Sequence, residues 1–91
     1  MSKNISEKEV LKGIKDILLK EVEIQVSRKN ISLESTLIND LGMDSIQILE
    51  FIVGLENKFN VKINDEDISK ALFKNVGSIL LYVVKQIKKR K

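Results

Sequence analysis

The chain reads LGMDSIQ at residues 41–47, a glycine turn that leads directly into the start of a helix. Asp44 suits the N-cap position because its carboxylate can accept free backbone N–H groups, and Gln47 completes a capping box with it. Ser45 then falls in the first helical turn, with its hydroxyl toward solvent. This stretch therefore predicts a capped helix that presents one serine at its start.

The helix that begins at Ser45 is predicted to extend to about Lys58 and to have two different faces. At about 100° per residue, one apolar face is assigned to the core. That face consists of Ile48, Phe51, Ile52, Leu55 and Phe59. Ile46 and Val53 fall almost opposite it, with Glu50 between them. These outward residues are either scattered surface hydrophobic side chains, which are common, or a stripe on which a partner docks.

A first helix is predicted over residues 7–22, and an extension as far as Val26 stays open. Ser6 and Glu9 are spaced as a capping box at its start. Its apolar residues recur at helical spacing on one face. They are Val10, Leu11, Ile14, Ile17, Leu18 and Val22. We expect this face to be buried.

A long connection, residues 27–43, separates these two helices. Such a loop is costly to order unless apolar side chains pin it to the core. The candidates for this role are Ile31, Leu33, Leu37, Ile38 and Leu41. We expect the loop to be packed.

Two further helices are predicted in the C-terminal part of the chain. A short third helix follows Asn64, with the acidic residues 65–67 in its first turn, where they complement the helix dipole. The last helix begins near Asn75, which is a good N-cap. Its predicted buried face consists of Val76, Leu80, Val83, Val84 and Ile87.

The composition agrees with an all-α fold. The 91 residues are 43% hydrophobic and include no proline and four glycines, which favours one small bundle of short helices over residues 1–91. The basic end, residues 85–91, is free to fray. No apolar run is long enough to span a bilayer, and the N-terminus has no apolar signal core, so we expect a cytoplasmic location.

Cysteine and histidine are both absent. Their absence excludes a disulfide framework, a cysteine-based metal site and hydrolytic triads of the Ser-His type. We therefore expect neither a metal site nor an enzyme.

Charge is distributed unevenly along the chain, whose net charge is +3. Residues 34–67, which include Ser45, carry eight acidic and two basic side chains, whereas residues 68–91 carry seven basic and no acidic ones. We expect a partner of the acidic part to present positive charge. The basic part is either a solvated surface or a binding site for an anionic partner.

The whole arrangement resembles the acyl carrier proteins, whose attachment motif is Asp-Ser-Leu or Asp-Ser-Ile. The resemblance runs from the first helix to the region of Tyr82. Besides the loop at residues 35–45, it includes Glu50, Leu55, Glu56, Phe59, Val61, Ile63, Asp65, Glu66, Asp67, Asn75 and Val76. It implies a four-helix bundle of acyl carrier type, with a long first loop and a short third helix.

The resemblance also implies a function. A separate phosphopantetheinyl transferase would attach 4′-phosphopantetheine covalently to Ser45 from coenzyme A. Acyl groups would then travel as thioesters on the thiol of that arm, in fatty-acid, polyketide or other specialised biosynthesis. The partners would be this transferase and acyl-loading and acyl-processing enzymes, and we expect a monomer that binds no nucleic acid.

Partner docking in this family uses the second helix, with acidic and apolar positions. Here Asp44, Glu50 and Glu56 match the acidic positions, and Ile46 and Val53 match the apolar ones. The two apolar matches and Glu50 belong to the outward stripe found above from helical spacing alone. This agreement favours the docking interpretation of the stripe.

The chain also departs from the family pattern. Gln47 and Asn57 replace positions that are often acidic, and Gly54 in mid-helix lowers helix propensity by about 1 kcal/mol relative to Ala. The net charge is positive, whereas general fatty-acid carriers are strongly acidic. These departures favour a dedicated carrier of a specialised pathway.

Two interpretations from other classes remain. In one, a non-carrier helical module binds nucleic acid or an anionic surface through its basic end, residues 85–91; the lack of interleaved aromatic residues argues against it. In the other, the bundle is an interaction scaffold in which Ser45 is only part of a helix cap. Covalent loading of Ser45 from coenzyme A would distinguish a carrier from both.

Overall fold

The computed structural model describes residues 6–64, 66 and 74–89. Three α-helices lie in this part of the chain: α1 (Glu7–Asp16), α2 (Ser45–Phe59) and α3 (Val76–Lys89). A π-helical turn, Ile17–Glu21, continues α1, and a 3-10 turn, Arg28–Asn30, lies in the connection to α2. The fold is all-helical, as predicted.

Two predicted features at the C-terminal side extend outside the described residues. The short third helix expected after Asn64 falls largely on residues 65–73, of which only Glu66 is described. The basic end is described as far as Lys89, and α3 continues in helical geometry to that residue. The described residues thus contain three of the four predicted helices.

Helix α1 begins and ends through local hydrogen bonds. The Ser6 hydroxyl accepts the Glu9 backbone N–H at 3.1 Å, which is one half of the predicted capping box. At the other end Glu23 takes a left-handed conformation, with φ of 61°, and the Ile24 N–H bonds back to the Leu18 carbonyl at 3.0 Å. The extension of the helix as far as Val26 is therefore wrong, because a left-handed residue stops helical propagation.

The core consists almost entirely of aliphatic side chains, which come from the three helices, the π-helical turn and the connections between them. The α1 face is buried as predicted, and α1 packs against α3 while its π-helical turn packs against α2. The most completely buried side chains are Val10, Ile14, Ile17, Leu18, Phe51, Leu55, Val76, Ile79 and Val83. The predicted core residues Leu11, Ile48, Phe59 and Ile87 are half-buried at its edge.

The long loop is packed, but by fewer side chains than predicted. Ile31, Leu37 and Leu41 are buried, whereas Leu33 and Ile38 are exposed, so the prediction is wrong for these two. The loop backbone supplies the remaining attachment to the first turn of α3. The Leu33 carbonyl accepts the Gly77 N–H at 2.8 Å, and the Ser35 carbonyl accepts the Val76 N–H at 3.0 Å. These bonds satisfy N–H groups that a helix start leaves unpaired.

Helix α3 begins where the sequence predicts. The Asn75 side-chain oxygen accepts the Ser78 N–H at 2.8 Å, and the Ser78 hydroxyl accepts the Asn75 N–H at 3.2 Å. Thr36 forms an isolated antiparallel bridge with the same residue, Asn75. The long loop is thereby attached to the start of α3 at Thr36, a few residues before the turn that precedes Ser45.

Candidate functional site

The turn before Ser45 is anchored on both sides of its glycine. Leu41 and Met43 are buried, and the Met43 N–H bonds to the Leu37 carbonyl at 3.0 Å. Between them Gly42 has a φ of 67°, in the left-handed region that favours glycine. The turn therefore delivers the chain to α2 from a fixed position on the core.

The predicted capping box is present at the N-terminus of α2. The Asp44 carboxylate accepts the Gln47 backbone N–H at 2.8 Å, and the Gln47 side-chain oxygen accepts the Asp44 N–H at 3.1 Å. The first bond within the helix runs from the Ile48 N–H to the Asp44 carbonyl at 2.9 Å. The N–H groups of Ser45 and Ile46 are thus left without partners among the described residues, at the positive end of the helix dipole.

Ser45 is the first residue of α2 and is exposed, as predicted. No described residue forms a hydrogen bond with its hydroxyl. A serine hydroxyl can donate one hydrogen bond and accept two. This one is free to enter the active site of another protein.

The outward side of α2 is more apolar than predicted. Ile46 and Val53 are 67% and 53% exposed, which confirms that they lie away from the core, and Glu50 is exposed beside them. Leu49 is 60% exposed on the same side, and sequence reasoning missed it. Its spacing from Ile46 and Val53, three and four residues, is the signal that could have identified it.

A shallow groove runs along this side of α2; we call it the α2 groove. It is lined by Glu21, Ile46, Leu49, Glu50, Val53 and Gly54. Glu21 comes from the π-helical turn, and its Oε1 would lie 3.0 Å from a Cβ placed on Gly54. The absent side chain at Gly54 is therefore what lets this carboxylate approach α2. The sequence does not predict the position of Glu21, because the periodicity of α2 contains no information about which residues of another helix lie beside it.

Glu56 has a structural task in addition to its predicted place among the docking residues. It is half-buried, and its Oε2 accepts the Ile63 backbone N–H at 2.9 Å. This hydrogen bond ties the connection after α2 back onto the helix. Glu56 is therefore less available to a partner than Glu50, whose carboxylate is exposed.

Comparison with known proteins identifies the family. A family model described as the phosphopantetheine attachment site matches residues 12–83. An acyl carrier protein from Clostridium perfringens is 39% identical over 74 residues, which cover 78% of this chain and 95% of that protein. The chain belongs to the acyl carrier proteins.

Other acyl carrier proteins match a larger part of the chain. One from Thermotoga maritima is 30% identical over 82 residues, covering 90% of this chain and 96% of that protein. A solved structure of an acyl carrier protein from Enterococcus faecalis superposes with a TM-score of 0.72 at 28% identity, covering 90% of this chain and 99% of the other. Sequence and fold thus agree over most of this carrier.

Membership of the family establishes the general function. The carrier holds acyl intermediates as thioesters on a phosphopantetheine arm, and its partners include a phosphopantetheinyl transferase and biosynthetic enzymes. The alternative of a non-carrier helical module finds no support in these similarities. Within the described residues, no helix combines the length and the apolar character that crossing a membrane requires.

Proposed function

We propose that Ser45 is the residue to which the phosphopantetheine arm is attached. The observation that carries the proposal is an exposed, unpaired hydroxyl on the first residue of a capped helix. The family match spans this position, and Asp44-Ser45-Ile46 has the form of the family's attachment motif. The buried side chains of Leu41 and Met43 anchor the turn that holds the hydroxyl at the surface.

The start of α2 fits the phosphate of such an arm. The N–H groups of Ser45 and Ile46 have no partners among the described residues, and the positive end of the helix dipole favours a negative charge here. The terminal thiol of the attached arm supplies the thioester chemistry, which this chain, with no cysteine, cannot supply itself.

The transfer breaks one bond to phosphorus and forms another. Ser45 Oγ forms a bond to the phosphorus that carries the pantetheine portion of coenzyme A. The P–O bond to the adenosine bisphosphate breaks, and that portion leaves with the bonding electrons. The proton of the Ser45 hydroxyl passes to a base of the transferase, because this chain has no histidine and no described group is paired with the hydroxyl.

Partner enzymes are proposed to dock on α2. The acidic positions are Asp44, Glu50 and Glu56, and the apolar ones are Ile46 and Val53. The exposure of Ile46, Glu50 and Val53 supports this assignment, and the acidic character of residues 34–67 favours partners with basic surfaces.

The family and the sequence support the remaining features of the proposal. We propose a single carrier domain over residues 1–91, folded as a four-helix bundle, that acts as a cytoplasmic monomer and has no catalytic activity or nucleic-acid ligand of its own. The basic net charge favours a dedicated carrier of a specialised pathway over a general fatty-acid carrier.

Loading by a broad-specificity phosphopantetheinyl transferase tests the attachment site. Incubation with coenzyme A should add the mass of one phosphopantetheine to the intact protein, and Ser45→Ala should abolish the addition. Ser27→Ala is the matched control, because Ser27 is also exposed but lies outside α2, and this variant should be loaded as wild type. Absence of a mass gain on folded wild type, or loading of Ser45→Ala, would contradict the proposal.

A further inference from the structure

The α2 groove contains two carboxylates that come from different helices. Glu50 belongs to α2, whereas Glu21 ends the π-helical turn that follows α1. Both are exposed, and among the described residues neither forms an ion pair with a lysine or arginine. Exposed apolar side chains, Ile46, Leu49 and Val53, line the same groove. The groove therefore offers an apolar strip together with two uncompensated negative charges.

Local packing holds Glu21 against α2. A Cβ on Gly54 would lie 2.7 Å from Ile17 Cγ2 and 3.0 Å from Glu21 Oε1, so both side chains occupy space that any other residue at 54 would fill. Ile17 and Glu21 are the two ends of the π-helical turn. The turn and the glycine thus bring a carboxylate from outside α2 to the edge of the groove.

The groove begins next to the proposed attachment site. Ile46 follows Ser45 directly, and Val53 lies eight residues further, or about 12 Å along the helix axis at 1.5 Å per residue. A standard protein interface covers about 800 Å² on each partner. The interface of an enzyme that holds the Ser45 hydroxyl in its active site is therefore large enough to include this groove.

We propose that Glu21 is a recognition residue for the phosphopantetheinyl transferase that loads this carrier. The complementary surface on the transferase carries an apolar side chain that enters the strip, with arginine or lysine side chains on both sides of it that meet Glu21 and Glu50. This inference rests on the proposed attachment at Ser45. The other proposed docking residues all belong to α2 or to its N-cap, whereas Glu21 belongs to the π-helical turn that follows α1.

Loading kinetics test the role of Glu21. With a broad-specificity phosphopantetheinyl transferase and saturating coenzyme A, Glu21→Gln should raise the KM for the carrier about two- to fivefold and leave kcat nearly unchanged, because one exposed charge pair is lost on docking. Glu21→Lys should raise KM further, since the charge is reversed. The increase caused by Glu21→Gln should shrink at high ionic strength, which screens exposed charges.

Glu34→Gln is the matched control. Glu34 is exposed on the long loop and does not line the α2 groove, so its variant loses the same charge away from the proposed contact. Its KM should stay within a factor of about 1.5 of wild type, since an exposed charge outside the proposed contact is largely screened. Thermal unfolding followed by circular dichroism should be the same for wild type and both glutamine variants.

The outcomes separate this inference from the proposed function. If wild type is loaded on Ser45 but Glu21→Gln and Glu21→Lys keep the wild-type KM, the role of Glu21 is refuted and the attachment site stands. Equal increases of KM in Glu21→Gln and Glu34→Gln would also refute it, because net charge alone would then explain the effect. If folded wild type is not loaded at all, the attachment proposal itself fails, and the inference falls with it.

Discussion

Asp44 and Gln47 exchange two hydrogen bonds across the first turn of α2, at 2.8 and 3.1 Å. Each side chain satisfies a backbone N–H that the helix leaves unpaired. Because this box caps the helix that begins with Ser45, it fixes the start of α2 relative to the turn that Leu41 and Met43 anchor in the core. The cap thus contributes both to stability and to the presentation of the serine.

Replacing Asp44 by Ala should lower the free energy of unfolding by about 1 kcal/mol, the usual effect of losing a side-chain N-cap. Urea denaturation followed by circular dichroism measures this difference. Asp44→Ser, which keeps a capping oxygen, should recover most of it. Equal stabilities of Asp44→Ala and wild type would show that the box does not stabilise α2.

Glu56 provides a second test, of a residue with both a structural and a proposed docking role. Its carboxylate accepts the Ile63 N–H at 2.9 Å in a half-buried position, so Glu56→Ala should lower the free energy of unfolding by about 1–2 kcal/mol. Glu50→Ala is the control: this exposed residue should change stability by less than about 0.5 kcal/mol. If both variants unfold alike, the hydrogen bond to Ile63 contributes nothing measurable.

The sequence predicts those parts of the site that depend on residues close in the chain. The box of Asp44 and Gln47 follows from two residues three positions apart, and the outward position of Ile46 and Val53 follows from the period of the helix. Leu49 has the same local signal, but it lies to one side of the direction opposite the core face, so a search for residues opposite the core does not include it. All of these features are properties of one helix.

The parts that could not be predicted depend on contacts between elements. Glu21 reaches the α2 groove because Ile17–Glu21 forms a π-helical turn and Gly54 makes room for it. No periodic pattern encodes that geometry. The sequence of α2 shows Gly54 only as a residue of low helix propensity. In the fold, Gly54 is the point at which the π-helical turn closely approaches α2. Likewise, nothing local indicates that Glu23 is left-handed.

The two helical glycines should respond differently to alanine. At Gly54 a Cβ would lie 2.7 Å from Cγ2 of the buried Ile17, which has little freedom to move, so Gly54→Ala should destabilise the fold by about 1–3 kcal/mol despite the better helix propensity of Ala. At Gly13 the nearest atom, also at 2.7 Å, is Cζ at the far end of the half-buried Phe59 side chain. Gly13→Ala should therefore cost less than Gly54→Ala.

Chemical denaturation of the two alanine variants measures the difference in their free energies of unfolding. The comparison is matched, because both substitutions add one methyl group to a helix and differ mainly in the side chains that this group contacts. Gly54→Ala should also disturb the position of Glu21, so its KM for loading should rise as in Glu21→Gln. A Gly54→Ala protein as stable as wild type would contradict the close approach of the π-helical turn to α2.

An ion pair between Asp16 and Arg28 should make stability depend on pH. The hydrogen bond from Arg28 lowers the pKa of Asp16 below its ordinary value of 3.8, and the charges of Lys12 and Lys20 act in the same direction. Because the folded-state pKa is depressed, this stabilisation is complete above the unfolded-state pKa, which lies near that ordinary value, and is lost as pH falls through the folded-state pKa. Its size should stay below about 1 kcal/mol, since the Arg28 side chain is 43% exposed.

The measurement is the difference in free energy of unfolding between wild type and Arg28→Gln as a function of pH. From neutral pH down to about 5, wild type should be more stable by a constant amount, since Asp16 stays ionised in both states. Below about pH 4 the difference should shrink toward zero. Lys29→Gln, which changes a neighbouring exposed cation on the same 3-10 turn, should show no such dependence. A difference for Arg28→Gln that persists unchanged in acid would mean that Arg28 stabilises the fold through packing, not through the charge of Asp16.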